Sequence, residues 1–189
     1  MVGLNLLTMQ RVLEKVGTVN LPQYQETVSG KNLFERAEMH SEVGFVPGSD
    51  QKKRFLTSLS QELIALLLNT ERSKAMGALK VLWSELGCEN MVVYSRVTDF
   101  QNLLRELGWT GEMPSLVEGE DFLAVVDSNL GGNKANFWVK RSTVYRLDID
   151  RDGNLSGVLK VVWNHEGKSG TWPGGDYGNY LRVYAPPGC

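Results

Sequence analysis

The sequence predicts an α+β fold: an N-terminal α/β lobe, with helices layered on a small sheet, followed by a C-terminal antiparallel β lobe. Three observations predict it. Apolar residues recur at helical spacing through most of the first 110 residues, each series bounded by capping and stopping residues. After Pro114 that periodicity gives way to runs rich in Val, Leu, Trp and Tyr, separated by turn residues. At 189 residues the chain suits one large domain or two small ones with a buried core. The expected division is 1–114, read as half of a larger domain, and 115–189, with residues 111–119 as the join.

The elements follow in order. Met1-Val2-Gly3-Leu4-Asn5-Leu6 reads as a strand entered midway. Met9, Val12, Leu13 and Val16 form a helical face, with Thr8 as the N-cap and Gly17 as the stop. Leu33, Phe34 and Ala37 mark a short helix after Ser29. Ser49 or Asp50 caps the longest helix, whose stripe is Phe55, Leu56, Leu59, Leu63, Ile64 and Leu67, ending near Asn69. A further helix from about Thr70 places Ala75, Met76, Leu79, Leu82, Trp83 and Leu86 inside and stops at Gly87. Residues 91–94 form a short strand. Asp99 caps a helix carrying Phe100, Leu103, Leu104 and Leu107, closed by Gly108. In the second lobe, strands are predicted over 122–127, 136–150, 155–164 and 179–184. The chain stops just after a strand, at Ala185-Pro186-Pro187-Gly188-Cys189. Together with its opening, that reads as a fragment of a longer protein.

Bulk properties exclude several functions. A net charge of −2 with interspersed signs offers no clustered cations for nucleic acid phosphates. No apolar run approaches a membrane span, and no signal peptide opens the chain. Cys88 and Cys189 give no disulfide framework. No Ser or Cys sits in a nucleophile elbow, no Gly-rich phosphate loop appears, and no cofactor is expected. His40 and His165 stand alone, without a second ligand at metal spacing.

Three segments carry more chemistry. Asp127-Ser128-Asn129-Leu130-Gly131-Gly132-Asn133-Lys134-Ala135-Asn136 sets three asparagines, a lysine and two glycines between two apolar runs. Asp127, Asn129, Asn133, Lys134 and Asn136 are therefore candidates for binding a sugar or an anion. The competing and preferred reading is a structural plug, because Asn and Asp satisfy loop backbone by local hydrogen bonds; Trp138 and Tyr145 behind it read as core. Gln51-Lys52-Lys53-Arg54 opens the long helix, where cations and free backbone N–H groups could hold phosphate, or simply form a solvated face. Asp148, Asp150 and Asp152, before Gly153, match the start of a calcium loop. The twelfth position is Leu159 rather than Glu, and a β-hairpin with an Asp-Gly turn explains the same letters. Trp172-Pro173-Gly174-Gly175-Asp176-Tyr177 reads as a mobile surface connection, with aromatics that could stack on carbohydrate.

The asparagine run, followed by Val139-Lys140-Arg141-Ser142 and by Tyr177-Gly178-Asn179-Tyr180-Leu181-Arg182-Val183-Tyr184-Ala185-Pro186, resembles a bacterial domain-of-unknown-function family, number 4012. Leu6-Leu7-Thr8-Met9-Gln10-Arg11-Val12-Leu13-Glu14-Lys15-Val16-Gly17-Thr18-Val19 and Leu107-Gly108-Trp109-Thr110-Gly111 fit the same family. The resemblance implies an interior piece of a membrane-anchored protein whose bulk lies outside the cytoplasm, and the lack of a complete catalytic constellation beside a β-rich second half predicts a module that binds or scaffolds. Its expected partner is a cell-envelope glycan or envelope protein. A weaker similarity links residues 1–110 to the LytR-CpsA-Psr glycopolymer transferases, which act on lipid-pyrophosphate-linked glycans. It implies that Asp50 and Lys53 occupy the acidic and first basic positions of a phosphate site, with Arg54 beside them. The next basic position falls on Leu56.

Overall fold

The computed structural model describes residues 1–43, 48–113, 121–168, 170 and 172–186, and of Lys52 the backbone alone. Most of the expected join at 111–119, and Cys189, lie outside the described residues. The fold is α+β, with five α-helices and four two-stranded antiparallel sheets among the described residues. The chain divides into two compact units, Met1–Pro114 and Ser115–Cys189.

In the first unit, strand β1 (Val2–Leu4) pairs with β4 (Met91–Val93), and α1 (Leu6–Val16) follows at once. Asn5, rather than the predicted Thr8, caps α1: its Oδ1 accepts from the Thr8 backbone N–H at 2.9 Å. Asn5 N–H also donates to the Asn90 carbonyl, which ends the β1–β4 ladder and releases Leu6 and Leu7 into the helix. A short hairpin of β2 (Val19–Leu21) and β3 (Glu26–Val28) comes next, turning through a 3-10 segment over Pro22–Tyr24. Unlike β1 and β4, this hairpin is not among the expected elements: three-residue strands are too short to register as alternation.

Helices α2 (Leu33–Glu42), α3 (Gln51–Asn69) and α4 (Arg72–Gly87) complete the layer, with α5 (Thr98–Glu106) after β4. Val12, Leu13, Val16, Val19, Leu21, Val28, Leu33, Phe55 and Leu59 form one buried cluster. Each such Val, Leu or Phe contributes about 1.5–3 kcal/mol relative to exposure. The stripe on α3 points inward at Phe55, Leu59 and Leu63, while Ile64 faces out. On α4 the expected inside residues Met76, Leu79 and Trp83 are exposed, Trp83 at 67%. Leu86 is buried as expected, and Ala78 and the charged Glu85 are buried beside it. The inward face is rotated because Glu85 pairs with Arg11 of α1 and accepts from the Thr8 hydroxyl.

Asp99 does not cap α5, which begins one residue earlier. Val97 holds the N-cap position, and the buried Gln101 accepts from the Ser95 N–H at 2.8 Å in place of a capping side chain. Asp99 lies in the first turn, where its charge favours the positive end of the helix. Phe100, Leu103 and Leu107 are half-exposed, and Leu104 carries the burial.

The second unit holds β5 (Ala124–Asn129), β6 (Val139–Ile149), β7 (Leu155–His165) and β8 (Asn179–Tyr184). β5 pairs with β8, setting Asp127 opposite Leu181 and Asn129 opposite Asn179. β6 and β7 form a hairpin of eleven-residue strands, with Arg141 opposite Trp163 and Tyr145 opposite Leu159. The stretch predicted to begin a strand at residue 136 is instead a 3-10 turn over Ala135–Trp138. Tyr145 and Trp138 are not core: Tyr145 is exposed and Trp138 half-buried.

Candidate functional site

The asparagine run forms the turn after β5, and Asn129 and Asn133 are consumed in building it. Asn129 Nδ2 donates to both the backbone oxygen and the Oδ1 of Asn133, each at 3.0 Å. Asn129 Oδ1 accepts from the Gly131 N–H, and Asn133 Oδ1 from the Ala135 N–H. Asn133 Nδ2 reaches across to the Asp176 carbonyl at 2.9 Å, tying the corner to the loop before β8. Both neighbours must be glycine for this fit. A Cβ on Gly131 would stand 2.9 Å from the Asp176 oxygen, and one on Gly175, at φ 116°, only 2.6 Å from Asn133 Nδ2.

Asp127, half-buried at 18% side-chain exposure, organises the other wall. Its Oδ2 accepts from Arg141 Nη1 at 2.7 Å. Its Oδ1 accepts from Trp163 Nε1 and Asn179 Nδ2, both at 3.2 Å. Asn179 Oδ1 in turn accepts from the Tyr177 hydroxyl at 3.3 Å. Burial and the nearby Asp127 charge push the Tyr177 phenol above its ordinary value, against the opposing pull of Arg141.

All five candidates of the run, Asp127, Asn129, Asn133, Lys134 and Asn136, line one cleft of about 470 Å³. Arg141, Trp163 and Tyr177 complete it, residues that no local pattern in the run could reveal. Register reveals them: counting back from the Asp150–Asn154 turn puts Arg141 across from Trp163. The corner is therefore both a hydrogen-bonded plug and one side of an open cleft. The 172–177 loop is not a loose connection among its described residues. Pro173 is buried, its carbonyl accepts from Trp138 Nε1, and the Asp176 carbonyl holds Asn133.

Asp50, Lys53 and Arg54 also come together. With Gln23, Tyr24, Thr57 and Ser58 they line a groove of about 690 Å³ in the first unit. Asp50 holds the N-cap position of α3 without a capping bond, leaving its carboxylate to the groove. Nearby, His40 stacks on Phe55 at 4.4 Å and meets Glu26 Oε2 at 3.1 Å, a satisfied structural contact.

Asp148, Asp150 and Asp152 do not converge. Asp150 spends its carboxylate on its own turn, accepting from the Asp152 and Asn154 N–H groups and from Asn154 Nδ2. These bonds hold its carboxyl below the ordinary value. Among the described residues no group of three or more His, Cys, Asp or Glu could hold a metal ion. No described helix is long and apolar enough to cross a membrane.

Comparison with protein-family models, with curated proteins and with solved structures finds no match for this chain.

Proposed function

We propose that this chain is a binding module of a bacterial envelope protein, one that holds a glycan in the cleft of its second unit without transforming it. The observation that carries this reading is the convergence of the asparagine corner with Arg141, Trp163 and Tyr177 on one cleft. Its volume lies within the roughly 300–1,000 Å³ typical of ligand pockets. Sugars need in-plane donors and acceptors for hydroxyls and flat apolar faces for their C–H surfaces. Asn136 and Arg141 supply the first, Trp163 and Tyr177 the second.

Turnover is disfavoured by the same geometry. Among the described residues the cleft is lined by one carboxylate, whereas glycoside hydrolysis ordinarily uses two. That carboxylate spends both oxygens on three donors from the protein. No Ser, Thr, Cys or His stands among its described lining residues. The setting outside the cytoplasm, on a membrane-anchored parent, rests on the resemblance to family 4012 alone.

The test is NMR titration of the labelled chain with soluble cell-wall glycan fragments. Shifts should concentrate at Asn136, Arg141, Trp163 and Tyr177, and weaken in Asn136→Ala, whose side chain makes no bond within the described protein. Shifts scattered over the surface, or none at all, reject the reading.

A second reading is favoured by one observation: Asp50, Lys53 and Arg54 line a common groove. In it the first unit is a LytR-CpsA-Psr-like transferase core, incomplete in this fragment, that grips lipid pyrophosphate there. Calorimetry with pyrophosphate should then show binding that Lys53→Ala removes. Absence of heat leaves the groove a solvated helix start.

A further inference from the structure

Within the cleft, the groups left over once the protein's own bonds are counted differ from the groups that line it. Asn129 and Asn133 use both their amide oxygen and their amide nitrogen in the corner, and Asp127 accepts three donors. Lys134 has interactions of its own. Arg141 is different. Its Nη1 donates to Asp127 Oδ2 and to the Val125 carbonyl, at 2.7 and 3.3 Å. Its Nε and Nη2 donate to no described residue, and the side chain is 43% exposed.

The Asp127 carboxylate therefore fixes the plane of the guanidinium while leaving part of its donor fork unspent. An oriented Arg fork of this kind suits the paired oxygens of a carboxylate or phosphate, to which it can donate two parallel bonds. Neutral hydroxyls would use it less fully. The Asp127 charge, which Tyr177 feels, is opposed in the same cleft by Arg141 and Lys134, so the described lining carries one more cation than anion.

Resting on the glycan-binding reading above, we infer that the cleft selects sugars carrying an anionic oxygen group, a uronate carboxylate or a phosphate ester. That group meets the unspent edge of Arg141, with the adjoining ring against Trp163 and Tyr177 and its hydroxyls on Asn136.

The experiment titrates the full chain, by NMR, with glucuronate, galacturonate and mannuronate trisaccharides and with their methyl esters, which keep the ring and lose the charge. Sugar 6-phosphates and their parent sugars form a second arm. Acid forms should bind at least about tenfold tighter than their neutral counterparts, the scale of one hydrogen bond to a charged group. That preference should shrink as salt is added. Arg141→Lys keeps a cation near Asp127 but lacks the fork, and should bring acid and ester within about threefold of each other. Should that variant misfold, the salt series on the unaltered chain still decides.

Preference confined to uronates or to phosphates names the source of the anion. Equal binding of acid and ester overturns this inference and leaves the glycan reading standing. Binding of no sugar in either arm overturns both.

Discussion

The helical unit buries Leu13, Leu21, Val28, Leu33, Phe55 and Leu59 almost completely, whereas in the β unit Ala135 and Pro173 are the buried residues among those described. Apolar side chains are plentiful in both. In the β unit, Leu147, Ile149, Leu155, Val158 and Val183 remain largely exposed. Where apolar burial is thin, shape must be specified by directional bonds, and the Asp127 and Asn133 networks supply them. The comparison teaches that a cluster of polar residues between strands can be structural and accessible to a ligand at once. Members such as Asn133, bonded within the corner through both ends of the amide, hold the form, and members such as Arg141, with donors to spare, face the solvent.

The contrast can be broken most forcefully from the helical side. Leu59→Ala should cost about 2–5 kcal/mol, the range for a buried Leu that leaves a cavity. Chemical denaturation followed by helical circular dichroism measures it. A loss below 1 kcal/mol would mean that the core is not what orders this unit.

On the β side, Asp127→Ala should cost about 1–3 kcal/mol by stranding the Trp163, Asn179 and Arg141 donors together. Trp163 fluorescence during unfolding reports it. Asp127→Asn, which retains an acceptor, should lose less. Asn133→Ala comes next, at about 1–2 kcal/mol, because it frees the Ala135 N–H and the Asp176 carbonyl. Its effect should appear as faster hydrogen exchange at Ala135, and unchanged exchange would dissolve the plug.

The smallest effects are in pH. Asp150 is held below its ordinary 3.8, so its turn contributes stability that is present above that value and lost as pH falls through the lower folded one. Tyr177 is raised above 10.0, so its contribution is present below 10.0 and lost as pH climbs through the higher folded value. Side-chain NMR titration of both residues checks the signs. Asp150 titrating at its ordinary value would show that the turn bonds do not persist in solution.

Much of this architecture was legible in the residues. The series on α1 and α3, the stop at Gly17 and the Asp-Gly hairpin were visible because each rests on local spacing. The caps misled at Thr8 and Asp99 because Asn5 caps α1 by a bond that sequence spacing alone could not rank, while α5 starts behind Val97 with no capping side chain. The face of α4 misled because an ion pair with the part-exposed Arg11 turned Glu85 inward, against the rule that charges stay out. Asp127, Asn129, Asn133, Lys134 and Asn136 announced themselves by density. Arg141, Trp163 and Tyr177 did not, since their approach depends on strand register and on a loop over forty residues downstream of Asn129.

The hairpin of β6 and β7 has one further consequence. Among the described residues each strand has one neighbour in its ladder, so alternate amides along both are turned away from the partner strand. Those outward groups take no part in a sheet ladder among the described residues. They give this part of the molecule a margin onto which another extended chain could be laid without undoing anything already paired.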